Sequence, residues 1–334
     1  MDDSILLAHG SGGKLSHELV EKKILPFLAN PALNKLDDSA VFEASGRLAF
    51  TTDSYVVNPI FFPGGDIGKL AVCGTVNDLA MNGARPLYLS LAAIIEEGFL
   101  LSELERIMQS VKKAAEEAEV SIIAGDTKVV DRGQADKLFI TTSGVGIISP
   151  GVDISGANAK VGDKVLLSGT VGDHGIAIMS QREGLKFSMT LESDCAPLNK
   201  LVSKMLEVSS SVHCLRDPTR GGLATTLNEL AGQSKASIVV EETKIPVKEE
   251  VKAACELLGL DPIYVANEGK MVAIVDSADA NKILACMKEN NYGRDAAIIG
   301  EVTKEHPGKV VMQTKLGPSR IVDMLSGELL PRIC

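Results

Sequence analysis

The sequence predicts an α/β (α+β) protein built as two domains. Three observations carry this reading. Helical and extended periodicities alternate along the chain, a loop-like stretch splits that alternation in two, and the composition favours glycine and aliphatic residues over aromatic ones. Of 334 residues, 45% are hydrophobic, 31 are glycine and 4% are aromatic, which suits aliphatic cores joined by tight turns. The length points to two domains and to cores large enough to need no covalent staples.

Taken in order, residues 1–35 carry a glycine-rich start, His9-Gly10-Ser11-Gly12-Gly13-Lys14, and a helix. Residues 36–150 form the first domain. Within it Leu48 to Thr52 reads as a buried strand ending in Asp53, and Leu104, Ile107, Met108, Val111 and Ala115 share one helical face. Val120 to Ala124 reads as a short strand ending at Gly125-Asp126-Thr127, and Phe139 to Ile148 as another. The stretch Ser149 to Gly162, with Pro150 and several glycines, marks the boundary. Residues 151–322 repeat the alternation. Strands are expected at Val165–Leu167, Ile238–Val240, Met271–Val275, Ala297–Val302 and Val310–Gln313, and helices at Leu198–Val208, Leu223–Ala231, Lys248–Leu258 and Ala280–Lys288. Residues 323–334 form a tail closing on Cys334.

The formal net charge of −10 disfavours a nucleic-acid backbone as the main partner, since such binders need a basic face. Six cysteines, none spaced as C-x-x-C, fit a reducing compartment. The acidic start lacks a signal-peptide layout, and no apolar run approaches the ~18 residues of a membrane span. The expected location is cytoplasmic.

Several residues could carry chemistry. Asp37-Asp38, Asp53, Asp78 and Asp126 each stand where a strand is expected to end or a helix to begin. Strand ends of open α/β sheets converge on one crevice. Carboxylates gathered there repel one another unless a cation joins them, and Mg²⁺ shares such oxygens with phosphates. Each Asp alone reads equally well as a helix or turn cap. The glycine-rich start lacks the G-x-x-x-x-G-K-[ST] spacing, yet its N–H groups and Lys14 could approach an anion. Lys128 lies beside Asp126, and Glu268, on the loop Asn267-Glu268-Gly269-Lys270, could serve as a base if its surroundings lift its affinity for a proton. The run Arg216-Asp217-Pro218-Thr219-Arg220-Gly221-Gly222 opens a helix with Thr219 as the expected N-cap. His174 and His213 have no metal-ligand spacing and read as ordinary residues. Cys334, being last, cannot be a C-a-a-X cysteine. By composition alone it is an incidental thiol as readily as a carrier.

Read together and in order, seven stretches resemble the hydrogenase maturation factors of the HypE family, within the PurM-like ATP-binding superfamily. They are Ala8 to Gly13, Phe61 to Gly65, Gly74 to Ala80, Gly125 to Val130, Arg216 to Gly222, Ala266 to Lys270 and Pro331 to Cys334. The resemblance spans essentially the whole chain. It implies a PurM-like fold whose N-terminal domain joins a second copy in a dimeric β-barrel, leaving ATP in a cleft near that interface. It implies that the carbamoyltransferase HypF loads a carbamoyl group onto Cys334. ATP-dependent dehydration of that thiocarboxamide then yields a thiocyanate, and cyanide passes to iron held by the HypC–HypD complex. By the same resemblance Glu268 is the base and Lys128 assists it. Gly10, Ser11, Gly12, Gly13, Lys14, Asn77 and Thr127 contact ATP, and Asp38, Asp53, Asp78 and Asp126 hold Mg²⁺. Two other readings stay open: a PurM-like synthase acting on a diffusible selenophosphate- or amidine-type substrate, and a scaffold for HypC–HypD without ATP hydrolysis.

Overall fold

A computed structural model describes residues 4–11, 13–36, 39–182, 184, 191–325 and 332–334. Gly12 and Asp38 therefore lie outside the described residues.

The N-terminal segment forms α1 (Lys14–Leu19), a π-helical turn (Val20–Ile24) and α2 (Leu25–Leu28). The first sheet comes from β1 (Arg47–Tyr55), β4 (Ala84–Glu96), β5 (Ser121–Val130) and β6 (Leu138–Ile148), after the small hairpin β2 (Phe61–Phe62) and β3 (Gly65–Asp66). Its order is β1-β6-β4-β5, antiparallel except for the β4–β5 pair. Helices α3 (Ile67–Met81) and α4 (Leu101–Ala118) cover one face. Asp66 caps α3 by accepting from the N–H groups of Gly68 and Lys69 at 2.9 and 3.0 Å, satisfying two donors that a helix start leaves unpaired. On the sheet's other face Phe42 packs on Tyr88, and Leu48, Phe50 and Ile94 are exposed, Phe50 by 73%.

The second half folds as β7 (Lys164–Leu167), α5 (Asp173–Arg182), α6 (Asn199–Val208), β8 (Val212–Arg216), α7 (Gly222–Ser234), β9 (Ser237–Glu241), α8 (Glu249–Leu258), β10 (Val272–Val275), α9 (Ala280–Glu289), β11 (Ala297–Thr303), β12 (Val310–Gln313) and β13 (Ser319–Val322). Its sheet runs β13-β12-β9-β11-β7-β10-β8. Strand alternation sorts the side chains into two cores. Val272 and Ile274 pack with Leu223 and Leu227 of α7, whereas Ala273 and Val275 pack with Leu201 and Met205 of α6 and Ile283 of α9. Ala80 and Met81 of α3 join this second core, so one helix runs from the first sheet into the second layer. The fold is two-domain and α/β.

Several expectations are corrected. The β1 strand is half-exposed, because only alternate residues reach α3. Asp53 and Asp126 do not end strands: the ladders continue through Asp53↔Thr142 and Ala92↔Asp126. Asp78 lies inside α3, one turn before its end. The N-cap of α7 is Gly221, while Thr219 closes a turn by accepting from the Gly222 N–H at 2.9 Å. His174 stands in the first turn of α5. No described helix is long and apolar enough to cross a membrane.

Candidate active site

The tail is seated in this structure. Residues 332–334 run antiparallel to 56–58. The Val56 N–H donates to Cys334 O and the Asn58 N–H to Arg332 O, both at 3.2 Å. The Arg332 Nε donates to Val56 O at 2.9 Å, and its guanidinium pairs with Asp136. Ile333 is buried in the first core beside Ile178 and Phe62. This places the Cys334 thiol in a cleft between the two halves of the chain. Burial first, then the nearby Glu268 carboxyl, push that thiol up to about 12, with Asp53 adding to them and Arg220 opposing. The seated group is therefore a protonated thiol. A released tail ionises near its ordinary 9.0, so rising pH pulls the tail out. Alkylation of Cys334 should keep accelerating about tenfold per pH unit past 9, whereas a permanently released thiol levels off there. Peptide mapping after timed iodoacetamide pulses checks this, and a plateau at pH 9 would contradict a seated tail.

Glu268 faces the thiol from the loop before β10. It is 3% exposed and its Oε1 has no hydrogen-bond partner. Burial, then Cys195, Asp217, Asp194 and Asp53, raise its carboxyl well above the ordinary range. Its loop is held from behind by Asp194, a residue that sequence reasoning did not single out. The Asp194 carboxylate accepts from the N–H groups of Glu268 and Gly269 at 3.2 and 3.1 Å and pairs with Lys270 at 3.3 Å. Burial pushes Asp194 up, but Lys270, His174 and the Glu268 N–H outweigh it and hold it below the usual carboxylate range. A side chain at Gly269 would meet Asp194 O at 1.8 Å, which is why glycine follows the glutamate. Asn267, fully buried, takes the Gly172 N–H at 2.7 Å and gives to Pro218 O at 2.9 Å.

Asn77 serves the same loop. Its Nδ2 donates to Ala196 O at 3.0 Å and Glu268 O at 3.4 Å, and its Oδ1 accepts from the Leu198 N–H at 2.8 Å. With these groups spent on backbone and 1% exposure, Asn77 braces the Glu268 loop and does not face a phosphate.

Three carboxylates line the cleft mouth. Asp78 accepts from Thr51 Oγ1 at 2.8 Å. Burial raises Asp78, and Asp53 adds to the shift. Asp217 is pushed up to about 7 by burial, then by Asp78 and Asp53, against Arg216. Arg216 itself pairs with Glu229 at 2.7 Å. These groups repel one another, yet among the described residues no three potential ligands stand close enough to cage a metal.

Asp126 and Lys128 lie elsewhere. Asp53 pairs with Thr142, which is buried against α3, whereas Asp126 pairs through Ala92 with the exposed Thr141. Asp126 and Lys128 thus sit on the opposite face of the sheet from Asp53. They are bonded to each other at 2.8 Å, with side chains 60% and 63% exposed. The glycine-rich start joins this second group. A Cβ on Gly10 would meet Val129 N at 2.6 Å, so only glycine lets the chain lie that close to β5. Lys14 is exposed and near Glu18 at 3.8 Å, Ser11 Oγ donates to Ala8 O at 2.9 Å, and Gly13 precedes α1 as its N-cap. A cavity of about 390 Å³ opens here between the N-terminal helices, α4 and β5, lined by Leu25, Leu91 and Met108 and by His9, Thr127 and Lys128. One copy of the chain therefore carries two half-sites, a tail–glutamate cleft and a glycine–lysine cavity, which it does not bring together.

The two-domain α/β frame that holds this site is that of the AIR synthase related proteins. The family model for the AIR synthase related N-terminal domain matches residues 36–148, and that for the C-terminal domain matches 160–313. The carbamoyl dehydratase HypE of Cupriavidus necator is 53% identical over 98% of this chain and 94% of its own length. A crystal structure of the hydrogenase maturation protein HypE in complex with ATP superposes with a TM-score of 0.96, at 52% identity, over 98% of this chain and 99% of that one. A chain from a crystal structure of a HypE–HypF complex superposes with a TM-score of 0.82, at 50% identity, over 92% of this chain and 99% of that one. The chain belongs to the carbamoyl dehydratase HypE family.

Proposed function

We propose that this chain dehydrates a carboxamide carried on its own Cys334 to a thiocyanate, using ATP. The observation that carries the reading is the seated thiol beside the unpartnered Glu268 Oε1. A diffusible-substrate synthase gives no part to this tail, whereas a carbamoyl group on Cys334 places an amide N–H within reach of a buried carboxyl that lacks a partner.

The atoms balance simply. Amide oxygen is a poor leaving group, and ATP supplies the phosphoryl group that makes it a good one. One nitrogen proton leaves to solvent as the amide oxygen is phosphorylated, and Glu268 takes the second as the C–O bond breaks and C≡N closes, so S–CO–NH₂ and ATP become S–C≡N, ADP, phosphate and a proton. Glu268 must first be a carboxylate. Its proton is held by burial and by repulsion from its neighbours, including Asp217 and Asp53, so neutralising those carboxylates frees it to act. Mg²⁺ fits this donor set in one form only: Asp53 and Asp78 supply part of its shell, and phosphate oxygens and water the rest. When bound it would neutralise phosphate charge.

The half-sites favour a homodimer. The exposed face bearing Leu48, Phe50 and Ile94 is the surface a second copy would cover, closing the sheet into a barrel and carrying the second copy's Lys128, Asp126 and glycine start toward the tail cleft. The apolar cavity beside that glycine segment suits a purine base. Mixing Lys128→Ala with Glu268→Gln protein should then restore activity, because each mixed dimer holds one intact site, up to roughly a quarter of wild type for random pairing. No restoration after exchange would place both groups in one copy's site. HypF is the proposed carbamoyl donor and HypC–HypD the acceptor, in the cytoplasm, where the free cysteines of this chain stay reduced.

Intact mass tests the central claim. Carbamoyl-loaded protein should lose about 18 Da, one water, only when ATP is present. A loaded chain that keeps its mass with ATP would overturn it, as a scaffold would behave.

A further inference from the structure

We infer that His174 is a positioning residue for the tail: its Nε2–H latches the Ile333 carbonyl and thereby sets Cys334 in register with Glu268. The inference rests on the tail-borne reading of the reaction.

The carbonyl partner fixes one proton of the ring. His174 is wholly buried in the first turn of α5, and its Nε2 lies 2.7 Å from Ile333 O. A carbonyl oxygen can only accept, so Nε2 carries the proton. The other nitrogen, Nδ1, then accepts, and its partner is Ser193 Oγ at 2.8 Å. Ser193 Oγ in turn accepts from the Cys195 N–H at 3.1 Å, which leaves its own proton for His174. The chain of donors runs without conflict from Cys195 N–H through Ser193 to His174 and on to the tail. The network is satisfied by a neutral imidazole with its proton on Nε2, and burial, the largest influence on the ring, disfavours the charged form. Phe62 holds the ring edge-on at 5.5 Å between centroids.

The other tail contacts are backbone pairing, apolar packing, or side-chain bonds made at Arg332, one residue farther from the thiol. The pairing of 332–334 with 56–58 is backbone to backbone, and a strand held that way can slip along its partner. The Ile333 side chain fills an apolar site, but apolar contact is non-directional. Arg182, at the end of the same helix, donates to the Arg332 carbonyl, whereas His174 is wholly buried and holds the Ile333 carbonyl, next to Cys334. The same turn also holds the base: Ser193 orients His174, and Asp194, the next residue, holds the N–H groups of Glu268 and Gly269. The tail and the Glu268 loop are thus referred to one three-residue segment, 193–195. Release of the tail strands a buried Nε2–H, so the latch also weights the balance toward the seated state.

Cys334 alkylation in the full-length, unloaded protein measures seating without reference to turnover. At pH 7.5, His174→Ala should speed iodoacetamide labelling of Cys334 about tenfold, the usual effect of losing one buried hydrogen bond. His174→Gln, which keeps an N–H at comparable reach, should return the rate to within about threefold of wild type. Equal rates in the two variants, or wild-type rates in both, overturn the latch. If His174→Ala does not fold, imidazole ¹⁵N shifts of the wild type decide: a protonated Nε2 with bare Nδ1 supports it and the opposite tautomer overturns it. Fast labelling of His174→Ala in a protein that makes no thiocyanate would sustain the latch and refute only the reaction.

Discussion

Cys334→Ala is expected to abolish thiocyanate formation outright. The variant should accept no carbamoyl group and show no ATP-dependent loss of water, while its fold and nucleotide binding persist. The physical basis is that the reacting carbon has nowhere else to be attached. The other five cysteines are Cys73, Cys195, Cys214 and Cys255, all buried, and the half-buried Cys286 on α9. The thiol itself makes little structural contribution: the tail is held by Ile333, Arg332 and backbone bonds, so truncating a partly buried Sγ should cost on the order of 1 kcal/mol or less. Intact mass, together with a thermal melt and an ATP-binding titration, separates the two effects. Product from this variant would remove the carrier role of Cys334 altogether.

Glu268→Gln is expected to leave ATP binding intact and slow single turnover of the loaded tail by about 10²–10⁴-fold, the usual contribution of a positioned base. Glutamine keeps the volume of the side chain and the backbone bonds from the loop to Asp194, so the geometry survives while proton acceptance is lost. Stability provides an independent check with a definite sign. The folded protein holds a proton on Glu268 above the pH at which the unfolded chain, near 4.5, has released it. The native state then binds more protons than the unfolded one, and wild-type stability falls as pH rises from about 4.5 toward the raised folded value. Glutamine does not titrate, so the melting temperature of the variant relative to wild type should climb between pH 4.5 and 7. A flat difference would mean that Glu268 is not protonated in the resting cleft, and an unchanged single-turnover rate would remove it as the base.

How much of this was legible before folding depends on the kind of information each residue carries. Helix α4 was legible because its core contacts recur at helical spacing, with Leu104, Ile107, Met108 and Val111 all buried. β10 was legible as an unbroken apolar run buried on both faces. Helix α3 carries no such signal: it is buried nearly all round, and a helix without a polar face has no period to read. Asp53 and Asp126 were misplaced at strand ends because aspartate is a poor strand former, and the pairing that keeps them extended comes from residues far along the chain. Asp194 and His174 were passed over for a similar reason. Neither stands in a local pattern, and each acquires its partners only when the 193–195 turn is folded against α5, the Glu268 loop and the tail.

The terminal Cys334, the Glu268-Gly269-Lys270 loop and the glycine-rich start were therefore visible in the sequence, because each is a contiguous run that the family resemblance picks out. Only the tertiary structure decided which of them meet. It seats the thiol against Glu268, assigns Asn77 to bracing the loop, and separates Asp126 and Lys128 from Asp53 across the thickness of a sheet. The physical reason lies in strand pairing: alternation sends neighbouring residues to opposite faces, and which face is which follows from register with strands up to about a hundred residues away.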